Sequence, residues 1–105
     1  MTRRGVAILG STGSIGTTAL RVLARNADRF RVVALTSHSN GDLLAQQARE
    51  TGAPFVGLVS NGHDVPEGWR QGADSLVDAA RLPEADIVLN AVVGSAGLAA
   101  TLAAL

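Results

Sequence analysis

Seven residues near the start constrain the rest of the chain. Gly10-Ser11-Thr12-Gly13-Ser14-Ile15-Gly16 follows a short apolar run, Val6-Ala7-Ile8-Leu9, and opens a segment with helical spacing. An unbroken apolar run with no alternation reads as a strand covered on both faces, as in a parallel sheet. Glycines at a strand–helix junction have separate jobs. Gly10 permits the tight turn out of the strand, Gly13 lets an anion approach the backbone, and Gly16 lets the helix pack close to the strand. The helix start adds unpaired N–H groups and the positive end of its dipole. Its first turn contains no Asp or Glu, although an isolated helix gains from one there. That gap fits a site filled by an external phosphate. The loop has no lysine and no Gly-Lys-Ser/Thr ending, which argues against a nucleoside-triphosphate loop. The expected ligand is the pyrophosphate of a dinucleotide.

The remaining pattern places this loop in a βαβ unit. Ile15, Thr18, Ala19, Val22 and Leu23 recur at helical spacing and are expected to face inward, with Arg21 and Arg25 outward. Residues 31–36 (RVVALT) read as a second strand. Asn40 is placed to cap a second helix through Leu43, Leu44 and Ala48, with Gly52 as its stop. Residues 55–59 read as a third strand, and residues 60–72, with three of the chain's glycines and Pro66, as an irregular loop. Residues 73–81 suggest a short helix with Leu76, Val77 and Ala80 inward. Residues 87–92 read as a fourth strand introduced by Asp86, followed by a turn at Gly94 and Gly97 and the start of a helix at Leu98–Leu105. The order β-α-β-α-β-loop-α-β-α predicts the α/β class: a Rossmann-like, doubly wound parallel sheet with right-handed crossovers. Gly97 to Leu105 has Thr101 as its only polar residue and should be buried on all sides. The reading is of a sheet truncated where more protein is expected to follow, with residues 1–105 as one N-terminal domain.

The end of the second strand bears on which dinucleotide binds. Enzymes that use NAD usually place an acidic residue there, about twenty residues past the loop, for the ribose 2′-hydroxyl. Here the segment is Thr36-Ser37-His38-Ser39-Asn40, with no carboxylate before Asp42. A carboxylate would repel a 2′-phosphate, whereas hydroxyls, an imidazole and an amide can contact one. NADPH is therefore favoured, although the segment has no Arg or Lys. Asn40 can act as a helix cap, a ligand, or both. Ala91 and Val92 fall near the carboxyl end of the fourth strand. In such sheets ligands sit outside the strand ends at the switch point, and small residues there leave room for the cofactor's ribose and nicotinamide.

Composition narrows the remaining functions. Hydrophobic residues make up 47% and aromatics 3%, so the core must be built from Ala, Val, Leu and Ile. Nine Lys+Arg balance nine Asp+Glu, which gives no basic footprint for nucleic acid. The apolar run after the basic N-terminus is too short for a signal peptide, and the stretch from Ala91 to Leu105 falls short of a membrane span. With no cysteine, the reading is of a soluble, cytoplasmic protein. Its acidic residues are scattered, and His38 and His63 lack metal-ligand spacing with a carboxylate. Neither a catalytic constellation nor a metal site is expected in these residues.

Residues 6–16 (VAILGSTGSIG), 30–35 (FRVVAL), Ser39-Asn40 and 85–105 (ADIVLNAVVGSAGLAATLAAL) resemble 1-deoxy-D-xylulose 5-phosphate reductoisomerase. The resemblance implies an NADPH-dependent enzyme of the non-mevalonate isoprenoid pathway. Such enzymes convert 1-deoxy-D-xylulose 5-phosphate to 2-C-methyl-D-erythritol 4-phosphate as homodimers, using Mg²⁺ or Mn²⁺. It further implies that Thr12, Gly13, Ser14 and Ile15, beside Gly10, contact the pyrophosphate and nearby ribose. His38, Ser39 and Asn40 would form the 2′-phosphate loop, and Ala91 and Val92 would face the cofactor. Many members have Gly at the position of His38 and some have Lys at that of Ser39. Members are several times longer, and their metal ligands, substrate-phosphate site and lid fall after the region that corresponds to Met1–Leu105. The chain alone is thus expected to bind cofactor weakly and not to turn over. The glycine loop is also compatible with another NADP reductase, such as a semialdehyde dehydrogenase or dihydrodipicolinate reductase, and with a stand-alone NADP(H)-sensing module.

Overall fold

The computed structural model describes residues 3–62 and 64–92. The chain runs β1 (Arg4–Leu9), α1 (Ser14–Arg25), β2 (Phe30–Ser37), α2 (Gly41–Thr51), β3 (Phe55–Leu58), β4 (Arg70–Gln71), α3 (Asp74–Ala80) and β5 (Ile87–Asn90). The strands form one sheet in the order β4-β3-β2-β1-β5, and each neighbouring pair is parallel. This is the expected Rossmann-like α/β sheet. The chain builds outward from β1 through β2 and β3, then returns to place β5 on the other side of β1. The switch point therefore lies between the carboxyl ends of β1 and β5.

The central strand β1 feeds two cores, because alternate side chains point to opposite faces. Val6 and Ile8 pack with Leu35, Leu44, Val56 and Leu58 beneath α1 and α2. Ala7 and Leu9 pack with Val33, Ala34, Leu76 and Ala79 beneath α3. The β1–β2 register shifts between Val6 and Ala7, whose partners are Val32 and Ala34. The extra residue, Val33, joins Ala34 in the α3-side core, as a bulge allows. At the amino end of the sheet, Asp86 clamps β5 to β1. Its carboxylate accepts from the Gly5 amide (2.9 Å), and its own amide donates to the Gly5 carbonyl (2.8 Å).

Four expectations need correction. The stretch read as an irregular loop contains β4, two residues paired with Gly57 and Leu58; so short a strand leaves no periodic trace in a sequence. α3 buries Ser75, Leu76, Ala79 and Ala80 and leaves Val77 only partly covered, so its inner face is rotated from the expected one. β5 ends at Asn90 rather than Val92, where the Val92 amide donates to Asn90 Oδ1 (3.0 Å). α1 turns Leu20 and Leu23 toward the core, whereas Ile15 and Val22 are 69% and 52% exposed and Thr18 is exposed as well. The expected turn at Gly94 and Gly97 and the helix at Leu98–Leu105 lie outside the described residues.

The Asp86 clamp yields a stability prediction. Asp86→Ala should remove about 1 kcal/mol, lowering the thermal midpoint by about 4–8 °C for a domain of this size. Asp86→Asn, which keeps an acceptor, should lose less. Thermal denaturation followed by circular dichroism measures both.

Candidate dinucleotide site

The rotation of α1 follows from its contact with the end of β1. A Cβ on Gly16 would clash with the Gly10 carbonyl oxygen and fall 2.6 Å from Ser11 Cα. Only glycine lets the helix start this close to the strand, so Gly16 must face inward. That requirement leaves Ile15 facing solvent. Gly10 has φ +80°, the left-handed region that glycine adopts without strain. A Cβ there would lie 3.2 Å from Val92 Cγ2, so the loop and the residues after β5 touch across the switch point.

Gly13 differs from both. Its φ of −78° and ψ of 175° suit any residue, and a Cβ there would meet only the Gly10 carbonyl oxygen, at 3.7 Å. Folding does not demand glycine at this position. The space in front of it is open.

The loop amides divide into two groups. Those of Gly10 and Ser11 both donate to the Thr36 carbonyl (3.1 and 2.8 Å), and that of Gly13 turns back to the Gly10 carbonyl (3.3 Å). The first helical amide bond is Thr17 to the Gly13 carbonyl (2.9 Å). The amides of Ser14, Ile15 and Gly16 find no acceptor among the described residues. Gly13 caps the helix without a side-chain bond, and its first turn holds no acid. Three N–H groups at the positive end of a twelve-residue helix thus remain available to an anion.

The second loop leaves β2 alongside the first. Asn40 Oδ1 accepts from the Leu43 amide (3.2 Å) and caps α2. Its side-chain NH₂ group makes no bond among the described residues and can still donate outward. The side chains of His38 and Ser39 are exposed. The Ser37 hydroxyl ties the loops together: it accepts from the Asn40 amide (3.2 Å) and shares a hydrogen bond with Thr12 Oγ1 (2.7 Å). If Ser37 donates to Thr12, the Thr12 proton remains free for a ligand oxygen. A small cavity between the loops and the sheet is lined by Gly10, Thr36, His38, Leu76 and Val92. A cleft of about 420 Å³ beyond Asn40 also presents Asp42 and Asp64.

The structure therefore links Thr12 to Asn40 through Ser37, sets Gly10 and His38 on one cavity, and places Ala91 and Val92 against Gly10. Gly13, Ser14 and Ile15 continue from Thr12 into α1, and Ser39 lies exposed between His38 and Asn40. The sequence reading missed the polar supports behind them. Gly10 N also donates to Thr36 Oγ1 (3.1 Å), and Ser11 and Gln47 are hydrogen-bonded to each other inside the fold. A signal was present for Gln47: it follows Leu43 and Leu44 by four and three residues, on the inward face of α2.

The family model for 1-deoxy-D-xylulose 5-phosphate reductoisomerase matches residues 6–105. The chain belongs to this family. The reductoisomerase of Rhodococcus jostii is 48% identical over 104 residues, covering 95% of this chain and 26% of the relative. That of Halalkalibacterium halodurans is 41% identical over 110 residues, covering 97% and 29%. Among solved reductoisomerase structures, the Zymomonas mobilis enzyme in complex with NADPH superposes with a TM-score of 0.86 at 39% identity, covering 98% of this chain and 29% of that one. A structure with NADPH, fosmidomycin and magnesium gives 0.85 at 33% identity, covering 96% and 27%. The chain thus spans little more than a quarter of the length of the reductoisomerases it matches. Membership sets aside the semialdehyde dehydrogenase and dihydrodipicolinate reductase readings. No group of acidic or histidine side chains among the described residues could hold a metal ion, and no described helix is long and apolar enough to cross a membrane. His63 lies outside the described residues.

The glycine geometry predicts a contrast between two substitutions. Gly16→Ala should cost at least about 2 kcal/mol, because the clash is with backbone. Gly13→Ala should stay within about 1 kcal/mol of the parent chain, the usual range for a Gly-to-Ala change at a helix cap. Urea titration of the two variants tests the difference.

Proposed function

We propose that residues 1–105 form the NADPH-binding domain of a 1-deoxy-D-xylulose 5-phosphate reductoisomerase. The observation that supports this most directly is the set of unpaired amides at Ser14, Ile15 and Gly16, facing open space before Gly13. A pyrophosphate seated there would satisfy N–H groups that the fold leaves unmatched, at the end of a dipole that favours negative charge. Thr12 would donate its hydroxyl to the same group. The exposed face of Ile15 would lie against the adjoining ribose, which gives its apolar side chain a role that packing does not.

His38, Ser39 and Asn40 would receive the 2′-phosphate. No carboxylate stands between Thr36 and Asn40, and Asn40 can cap α2 with its oxygen while donating from its nitrogen. Ala91 and Val92, in contact with Gly10, would border the cofactor on the nicotinamide side of the switch point. Bound NADPH supplies the hydride for reduction; these residues hold and orient it.

In the parent enzyme, the phosphorylated sugar substrate and a Mg²⁺ or Mn²⁺ ion would be bound by residues outside this chain, in a cytoplasmic homodimer. The chain alone is expected to bind cofactor without catalysing the reductoisomerisation.

Calorimetric titration with NADPH and NADH tests the cofactor choice. NADPH should bind more tightly; equal affinities would overturn the assignment of the second loop. Gly13→Val should abolish binding of both nucleotides while the chain stays folded, because the side chain fills the space before the amides. Unchanged binding would mean that the pyrophosphate does not approach the backbone there.

A further inference from the structure

Gln47 lies in the middle of α2, about 10 Å along the helix from its cap Asn40. It is 5% exposed. A glutamine here requires an explanation, because burying an amide is unfavourable unless its hydrogen-bonding groups are matched. Both ends are matched, and both to one residue of the glycine loop. Ser11 Oγ donates to Gln47 Oε1 (2.7 Å), and Gln47 Nε2 donates to the Ser11 carbonyl (2.9 Å). Ser11 is itself fully buried and also approaches the Thr36 carbonyl with its hydroxyl (3.3 Å).

This arrangement holds both peptide planes that flank Ser11, the Ser11–Thr12 plane through its carbonyl and the Gly10–Ser11 plane through its amide. The Ser11 carbonyl is held by α2 and the Ser11 amide by β2. The next residues are Thr12 and Gly13, which lead into the unpaired amides of α1. A swing of the Ser11 peptide would redirect all of them. Since α2 also carries Asn40, one helix supports both phosphate-binding loops.

We propose that Gln47 is a positioning residue for the pyrophosphate loop, holding the Ser11 peptide so that the first-turn amides of α1 converge on the diphosphate. The inference rests on the proposed dinucleotide function. It predicts that Gln47 acts on the pyrophosphate and not on the 2′-phosphate, although it belongs to the helix that Asn40 caps.

The test is an NMR titration of the chain and its Gln47→Met variant with three ligands: NADPH, NADH and adenosine 2′-monophosphate, which lacks the pyrophosphate. Met keeps the length and removes both hydrogen bonds. The variant should bind NADPH and NADH about tenfold more weakly, the scale of one or two lost buried hydrogen bonds. Its affinity for adenosine 2′-monophosphate should be unchanged. Ser11→Ala, a milder change that removes only the hydroxyl, should show the same ligand pattern with a smaller loss, about threefold.

Equal weakening toward all three ligands would overturn the proposal in favour of a general structural role, as would undiminished NADPH binding in both variants. If Gln47→Met does not fold, Ser11→Ala decides by the same criteria. Failure of the unaltered chain to bind NADPH or NADH would instead overturn the proposed function itself, and the role of Gln47 with it.

Discussion

Everything at the carboxyl end of the central strand depends on how closely α1 begins to the end of β1. Gly16 sits against the Gly10 carbonyl and the Ser11 backbone, where a side chain has no room. That contact sets the rotation of the helix. It places Leu20 and Leu23 over the core and leaves Ile15 on the open side. It also puts the first-turn amides beside the strand ends, where a ligand at the switch point can reach them. The glycine loop is thus a packing device and, in the proposed function, a recognition device as well, and its three glycines answer to different demands. Gly16 is required by the helix–strand contact and Gly10 by its positive φ. Folding makes no comparable demand at Gly13.

The second layer of the site is a polar scaffold beneath the loops. Thr36 receives the amides of Gly10 and Ser11, Ser37 joins Thr12 to the Asn40 amide, and Gln47 holds Ser11. These side chains are short or buried, and their bonds join the loop after β1 to β2 and α2. Such a network ties the two loops together, and in the proposed function this preorganisation would reduce the ordering cost of binding.

Much of this was legible in the sequence. The unbroken apolar run at Val6–Leu9 announced a strand covered on both faces, residues 31–36 announced a second strand, and Gly52 stopped α2 in the left-handed conformation that its position suggested. The loop glycines, the Asn40 cap and the missing first-turn acid could all be read directly. Three things could not. β4 is a two-residue strand, below the length at which periodicity exists. The inner face of α1 was misassigned because Ile15, Ala19 and Val22 form an apolar stripe that outweighs Gly16 in any hydrophobic count, whereas steric contact at the glycine sets the rotation. The supporting polar residues were overlooked because Thr36 and Ser37 resemble ligand-loop residues and Gln47 an ordinary helix residue. Only the register between elements shows which polar groups meet.

The central claim concerns the amides of Ser14, Ile15 and Gly16. The most direct measurement is a ¹H–¹⁵N correlation spectrum of the isotopically labelled chain during addition of NADPH. The account predicts large downfield proton shifts at these three amides, as each gains a charge-assisted hydrogen bond. Gly10 and Ser11, already bonded to Thr36, should move little. Saturation with NADPH that left the three helical amides unmoved would contradict it.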